Sequence, residues 1–133
     1  MADTGVTAGP VVGLGTDLVD VDRFRRAWAR RGDRLVERLF SDAEREYAQS
    51  HRDPVPRLAA RFAAKEAVMK ALGVGLGDLA FRDVEVVRAG SGAPGLVLSG
   101  RAAALASAQD VRRWQLSLSH TDTTAIAVAL ALA

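Results

Sequence analysis

Cysteine is absent from all 133 residues, which excludes disulfides, thiolate zinc sites and thiol nucleophiles. Aromatic residues are scarce, 5% of the chain, and are not interleaved with cations as in a nucleic-acid-binding surface. The net charge is only +2, which also argues against nucleic acid as a partner. No apolar run approaches the ~18 residues of a membrane span. Met1 to Pro10 lacks the basic and apolar regions of a secretory signal, so a protein acting in the cytoplasm, with no membrane partner, is the expectation. The only histidines are His51 and His120, in no HxH or HExxH arrangement, which makes a histidine-based metal site a poor fit. The GLG at Gly13 to Gly15 lacks the third glycine of a dinucleotide fingerprint, since Leu18 stands there. Gly73, Gly75 and Gly77 follow a helical pattern rather than precede one, and no GK[ST] follows them.

Lysine is the most informative scarcity. Of 18 basic residues, only Lys65 and Lys70 are lysine, and both fall in one short segment. Arginine is a planar fork, whereas lysine is a compact ammonium suited to approaching a phosphate. That contrast directs attention to the stretch around Glu66.

The chain divides into a short polar tail over residues 1–10 and one folded unit over residues 11–133. Val11 to Val19 reads as a buried strand, followed by a helix from Val21 to Arg31 with Phe24 and Trp28 on one face. Ser41 with Glu44 three residues later has the capping-box pattern and opens a helix to Ser50. The clearest helix runs from Arg57 to Leu72 and stops at Gly73. Its Ala60, Ala64, Ala67 and Ala71 form a small-residue stripe that lets another element approach closely. Phe81 to Arg88 alternates like a strand, AGSGAPG is a turn, and Ser99 is placed to cap a helix reaching Gln109. Trp114 to Ser119 and Thr124 to Leu132 read as a closing hairpin around a turn at His120 to Thr123. The expected class is α+β, an antiparallel sheet with helices packed against it.

Within this frame, Asp17 ends an apolar strand and Glu66 lies mid-helix, with Lys70 four residues further on. A strand-end carboxylate and a helix carboxylate can converge on Mg²⁺, which commonly takes one or two carboxylates and fills its other positions with water and phosphate oxygens. The plainer alternative, favoured by spacing alone, is a surface Glu66–Lys70 ion pair with Asp17 capping the next helix. The arginine run from Arg23 to Arg38 is either a solvated face or a docking surface for an acidic partner. A noncatalytic module binding an acidic protein, and a different Mg²⁺-dependent transferase, both stay open at this level.

GLGTDLVDVDRF, RFAAKEAVMKALG and LSLSHT, in this order and spacing, resemble the holo-[acyl-carrier-protein] synthases, small single-unit 4′-phosphopantetheinyl transferases. The resemblance spans Val11 to Leu132 and implies the 4′-phosphopantetheinyl transferase fold. It implies transfer of the 4′-phosphopantetheine arm of coenzyme A to a serine of an acyl carrier protein, in fatty-acid or polyketide synthesis. By the same resemblance, Asp17 and Glu66 bind Mg²⁺ and Lys70 stabilises the breaking pyrophosphate. Arg61 and His120 contact the adenosine 3′-phosphate end of coenzyme A, with Lys65, Ser119 and Thr121 adjacent and Pro94 lining the adenine site. Arg23, aided by Arg30 and Arg34, docks the carrier protein. A homotrimer with active sites between subunits is also implied. The chain departs from the family at Ala93, where a basic residue often precedes the proline. The proton acceptor for the serine is either Glu66 or a metal-bound water.

Overall fold

The computed structural model describes residues 9–133. Its elements in chain order are β1 (Val11–Asp20), α1 (Val21–Arg31), α2 (Asp33–Leu39), α3 (Asp42–Gln49), α4 (Val55–Leu72), β2 (Val84–Arg88), β3 (Pro94–Leu98), α5 (Gly100–Ala108), β4 (Arg113–His120) and β5 (Thr124–Leu132). The strands form two antiparallel sheets, β1-β5-β4 and the hairpin β2-β3. The α+β expectation is therefore met. The tail expected over residues 1–10 lies outside the described residues up to residue 8. Beyond it, the Pro10 carbonyl accepts a hydrogen bond from the Ala133 amide at 2.9 Å.

Helix α4 is the axis of the molecule, lying across one face of the three-stranded sheet and joining two apolar clusters. Its C-terminal half packs with the sheet, β2 and α5, and its N-terminal half packs with Phe24, Val36, Leu39 and Phe40 of the preceding helices. The helix–sheet interface is built from the smallest side chains. Ala125, Ala127, Ala129 and Ala131 of β5 are all fully buried, as are Ala63, Ala64 and Ala67 of α4. On β1 the fit is closer still. A Cβ on Gly13 would sit 1.9 Å from the Ala71 carbonyl oxygen, and one on Gly15 would sit 1.8 Å from that of Ala67. The GLG motif thus lets a strand backbone touch a helix backbone, and the alanine stripe has the packing role expected of it.

In β1 and β5, alternation sends larger apolar residues to the opposite face, whereas β4 keeps Trp114, Leu116 and Leu118 inward. Leu14, Leu18, Ile126 and Val128 are exposed there, Leu14 and Leu18 at 63% and 67%. Leu18 pairs with Ile126 and Thr16 with Val128, so these residues share that outward face.

Local signals account for most boundaries. Asp20 caps α1 through a hydrogen bond from the Arg23 amide, and Ser41 and Glu44 form the capping box of α3. Three expectations change. The strand read as buried, β1, buries only Gly15 and exposes Leu14 and Leu18. Ser99 occupies the N-cap position of α5 but makes no side-chain cap bond; its hydroxyl turns to Asp83 instead. The strand expected from Phe81 begins as a 3-10 turn over Phe81–Asp83 and becomes extended only at Val84. The turn has a purpose visible in its carbonyls, since Phe81 and Val84 both accept hydrogen bonds from the Lys65 ammonium.

Gly15→Ala forces apart two backbones already in contact. It is expected to lower stability by about 1–3 kcal/mol or more, as overpacking does. A urea unfolding curve coincident with wild type would contradict the close approach.

Candidate functional site

Asp17 lies on the inward face of β1, opposite Ala127, two residues beyond the Gly15 contact. That contact fixes its distance from α4. Lys70 reaches across from the helix and donates to Asp17 Oδ1 at 3.2 Å and to the Thr16 carbonyl at 2.9 Å. The i,i+4 Glu66–Lys70 pair is thus replaced by a strand–helix pair, and the helix cap assigned to Asp17 belongs to Asp20. Burial pushes the Glu66 carboxyl up from its ordinary pKa, the Asp17 charge adds to the rise, and Lys70 opposes it. Two carboxylates close enough to repel, with one ammonium between strand and helix, fit a hard divalent cation such as Mg²⁺. No cluster of three or more metal-ligating side chains occurs among the described residues, so such an ion would take its remaining ligands from water and substrate.

The second feature is a basic cleft of about 230 Å³, lined by Tyr47, Arg57, Arg61, Arg88, Pro94 and His120 among others. Arg61 projects from α4 and is 5% exposed, with its guanidinium stacked 4.3 Å over the Tyr47 ring. Its Nε has no hydrogen-bond partner among the described residues. An unsatisfied buried donor costs about 1–3 kcal/mol. Burial pulls the Arg61 pKa below its ordinary value, although Tyr47 and Glu44 oppose this. A buried, under-satisfied cation facing a cleft is suited to an anion. His120 ends β4 opposite Ala125 on the inward face, where it joins Arg61.

Three of the residues associated with this region are placed elsewhere. Lys65 is fully buried and faces the core, donating to Glu44 Oε1 at 2.8 Å and to two carbonyls. The second oxygen of Glu44 accepts from the Val86 amide. Lys65 therefore ties α4 to α3 and β2 and cannot reach a ligand in the cleft; burial lowers its pKa while Glu44 opposes the shift. Ser119 neighbours His120 in sequence, but strand alternation turns it to the outward face beside Ile126. The Thr121 hydroxyl accepts from the Thr124 and Thr123 amides and closes the turn. On the first helices, Arg25 pairs with Asp53, while Arg23, Arg30 and Arg34 are exposed and make no ion pair among the described residues.

A model of the 4′-phosphopantetheinyl transferase superfamily matches residues 13–130. The holo-[acyl-carrier-protein] synthase of Koribacter versatilis is 45% identical over 118 residues, covering 88% of this chain and 94% of that one. The chain belongs to the holo-[acyl-carrier-protein] synthases of that superfamily. Solved synthases share the fold. The Neisseria meningitidis enzyme superimposes with a TM-score of 0.84 at 31% identity, covering 92% of this chain and 98% of that one. The Helicobacter pylori synthase, solved in complex with coenzyme A, gives 0.78 at 30% identity, covering 89% and 98%.

Tyr47, Arg57 and Arg88 of this synthase had no signal of their own in the sequence, because two arginines vanish among sixteen and a lone tyrosine marks nothing. Only the fold brings α3, α4 and β2 to one cleft.

The raised Glu66 pKa has a consequence for stability. Between the ordinary and the raised value the folded state holds a proton that the unfolded state has lost, so stability falls as pH rises through that interval. Above the raised value the penalty is fully present, and below the ordinary value it is absent. In chelator at pH 7, Glu66→Gln is expected to melt above wild type, with the gain vanishing below about pH 4.3, the ordinary glutamate value. A lower melting temperature at pH 7 would contradict the assignment.

Proposed function

We propose that the chain transfers the 4′-phosphopantetheine group of coenzyme A to a serine of an apo-acyl carrier protein in the cytoplasm, releasing adenosine 3′,5′-bisphosphate. The observation that carries this reading is that one helix, α4, bears both halves of the site. Arg61 serves the basic cleft, and Glu66 and Lys70 of the same helix serve the carboxylate site with Asp17. Five residues of helix separate Arg61 from Glu66, a rise of about 7.5 Å. That spacing suits a nucleotide with its 3′-phosphate at Arg61 and His120 and its pyrophosphate beside Asp17 and Glu66. Pro94 borders the same cleft and serves the adenine end.

Asp17 and Glu66 are the residues that would hold Mg²⁺, whose chemistry there is to neutralise charge on the pyrophosphate. In the reaction the serine Oγ bonds to the β-phosphorus and its proton passes to Glu66 or to a water beside it. The bond from that phosphorus to the bridging oxygen breaks, and the oxygen leaves on adenosine 3′,5′-bisphosphate. Lys70, 55% exposed and held among the described residues by Asp17 and a carbonyl, can turn its ammonium to the phosphoryl oxygens as their charge grows. Arg23, Arg30 and Arg34 supply an exposed cationic surface for an acidic carrier from fatty-acid or polyketide synthesis.

Incubation with apo-carrier, coenzyme A and Mg²⁺ should add one phosphopantetheine to the carrier by mass spectrometry. Asp17→Ala and Glu66→Ala should abolish the adduct while retaining the fold by circular dichroism. Arg23→Glu should raise the carrier KM far more than that of coenzyme A. No adduct on any acyl carrier protein would refute the reading.

The assembly we propose is a homotrimer with active sites between subunits. Its support is the outward sheet face, where Leu14, Leu18, Ile126 and Val128 stand exposed in adjacent strands. Apolar surface of this kind is what an obligate partner covers, and a second copy of the same face is apolar in turn. Light scattering should return three times the 14.1 kDa chain mass, and Leu18→Glu should return a single chain with reduced transfer. A monomeric wild type would refute the assembly.

A further inference from the structure

The basic cleft contains a contact that the transfer reading does not require. Tyr47, on α3, stands between two guanidinium groups. Arg61 lies 4.3 Å from the ring centroid and Arg88 lies 5.1 Å from it. The Arg88 Nη1 also donates to the Tyr47 hydroxyl. Although burial raises the phenol pKa, the hydrogen bond and charge of Arg88, with help from Arg57 and Arg61, bring it below its ordinary value. The phenol oxygen is thus the main acceptor offered to a group of cations that otherwise face one another.

Arg88 ends β2 in register with Pro94, and its guanidinium folds back over the hairpin turn. Gly92 makes room for it, since a Cβ there would come within 3.1 Å of Arg88 Nη2. The residue before Pro94 is Ala93, so the turn itself contributes no cation. Arg88 is exposed, unlike Arg61, and can swing without disturbing the core.

We propose that Arg88 is a phosphate-binding residue held in reserve by Tyr47: in the free chain the phenol oxygen stands where a phosphate oxygen will lie, and on binding Arg88 passes its hydrogen bond from the phenol to the phosphate. The inference rests on the reading of the cleft as the 3′-phosphate site of coenzyme A and adds to it the residues that set selectivity. A phosphate monoester dianion is a stronger acceptor than a phenol, because it brings full negative charge and paired oxygens to the guanidinium fork, where the phenol offers one uncharged oxygen. The exchange therefore favours the ligand. The Arg61 Nε, lacking a partner among the described residues, gains one in the same event. Tyr47 keeps the cations apart until then.

Calorimetric titration of the full chain with adenosine 3′,5′-bisphosphate and with adenosine 5′-monophosphate tests this, since the two differ by the 3′-phosphate alone. Wild type should prefer the bisphosphate. Arg88→Gln should cut that preference about tenfold or more, the worth of one hydrogen bond to a charged group, and leave the monophosphate unchanged. Arg88→Lys should retain part of the preference, and Tyr47→Phe should keep it or increase it. A full preference in Arg88→Gln would overturn the role of Arg88 while leaving the 3′-phosphate reading intact. A loss in Tyr47→Phe as large as in Arg88→Gln would make the phenol a ligand rather than a stand-in and overturn the exchange. No preference in wild type would overturn both the inference and the reading beneath it.

Discussion

Everything at the site depends on how closely α4 lies on β1. Two glycines on the strand and a line of alanines on the helix and on β5 bring the backbones into contact. Side chains of ordinary size would hold the layers about 10 Å apart, as in most sheet packing. At the shorter separation a short aspartate on the strand meets a lysine from the helix at 3.2 Å. A two-carboxylate site whose ligands come from different elements is only as well defined as the distance between those elements. Here that distance is set by backbone contact, which cannot relax by changing rotamers.

Adjacent residues on α4 are divided between opposite tasks by helical geometry. Lys65 and Glu66 are about 100° apart around the axis. One enters the core to bind Glu44 and the carbonyls of the 3-10 turn, and the other faces Asp17. A buried pair of this kind contributes little net stability, because desolvation offsets attraction. Its value lies in geometry, since the ammonium and the second carboxylate oxygen together join α3, α4 and β2. Those are the three elements that bring Tyr47, Arg61 and Arg88 to one cleft.

The elements were legible because their signals are local: a capping box at Ser41, an αL glycine at Gly73, and apolar alternation in β5. Asp17, Glu66 and Lys70 were legible as residue types, but spacing favoured Glu66–Lys70 over the pair that forms. An i,i+4 count sees only one helix, whereas Asp17 arrives from fifty-three residues away in sequence. Lys65 and Ser119 point away from the cleft for one shared reason. Adjacency in sequence is not adjacency in space, since a helix rotates the next residue and a strand inverts it. That period-2 signal was available for Ser119. No comparable signal existed for Arg88, whose meaning depends on a hairpin folding its side chain onto a tyrosine from another element.

The same small-residue packing explains why the larger apolar side chains of β1 and β5 stand on the outward face. A sheet that turns its alanines and glycines inward has only its alternate positions for larger apolar side chains. In β1 and β5 those positions hold Leu14, Leu18, Ile126 and Val128. Polar residues there would have served a solitary chain, and β4 uses them, with Gln115, Ser117 and Ser119 on that face. The apolar surface is therefore concentrated on the strand that carries Asp17 and on its immediate neighbour. A copy packed against it would press on the strand that sets the Asp17–Lys70 geometry, so assembly and the carboxylate site would be mechanically one problem.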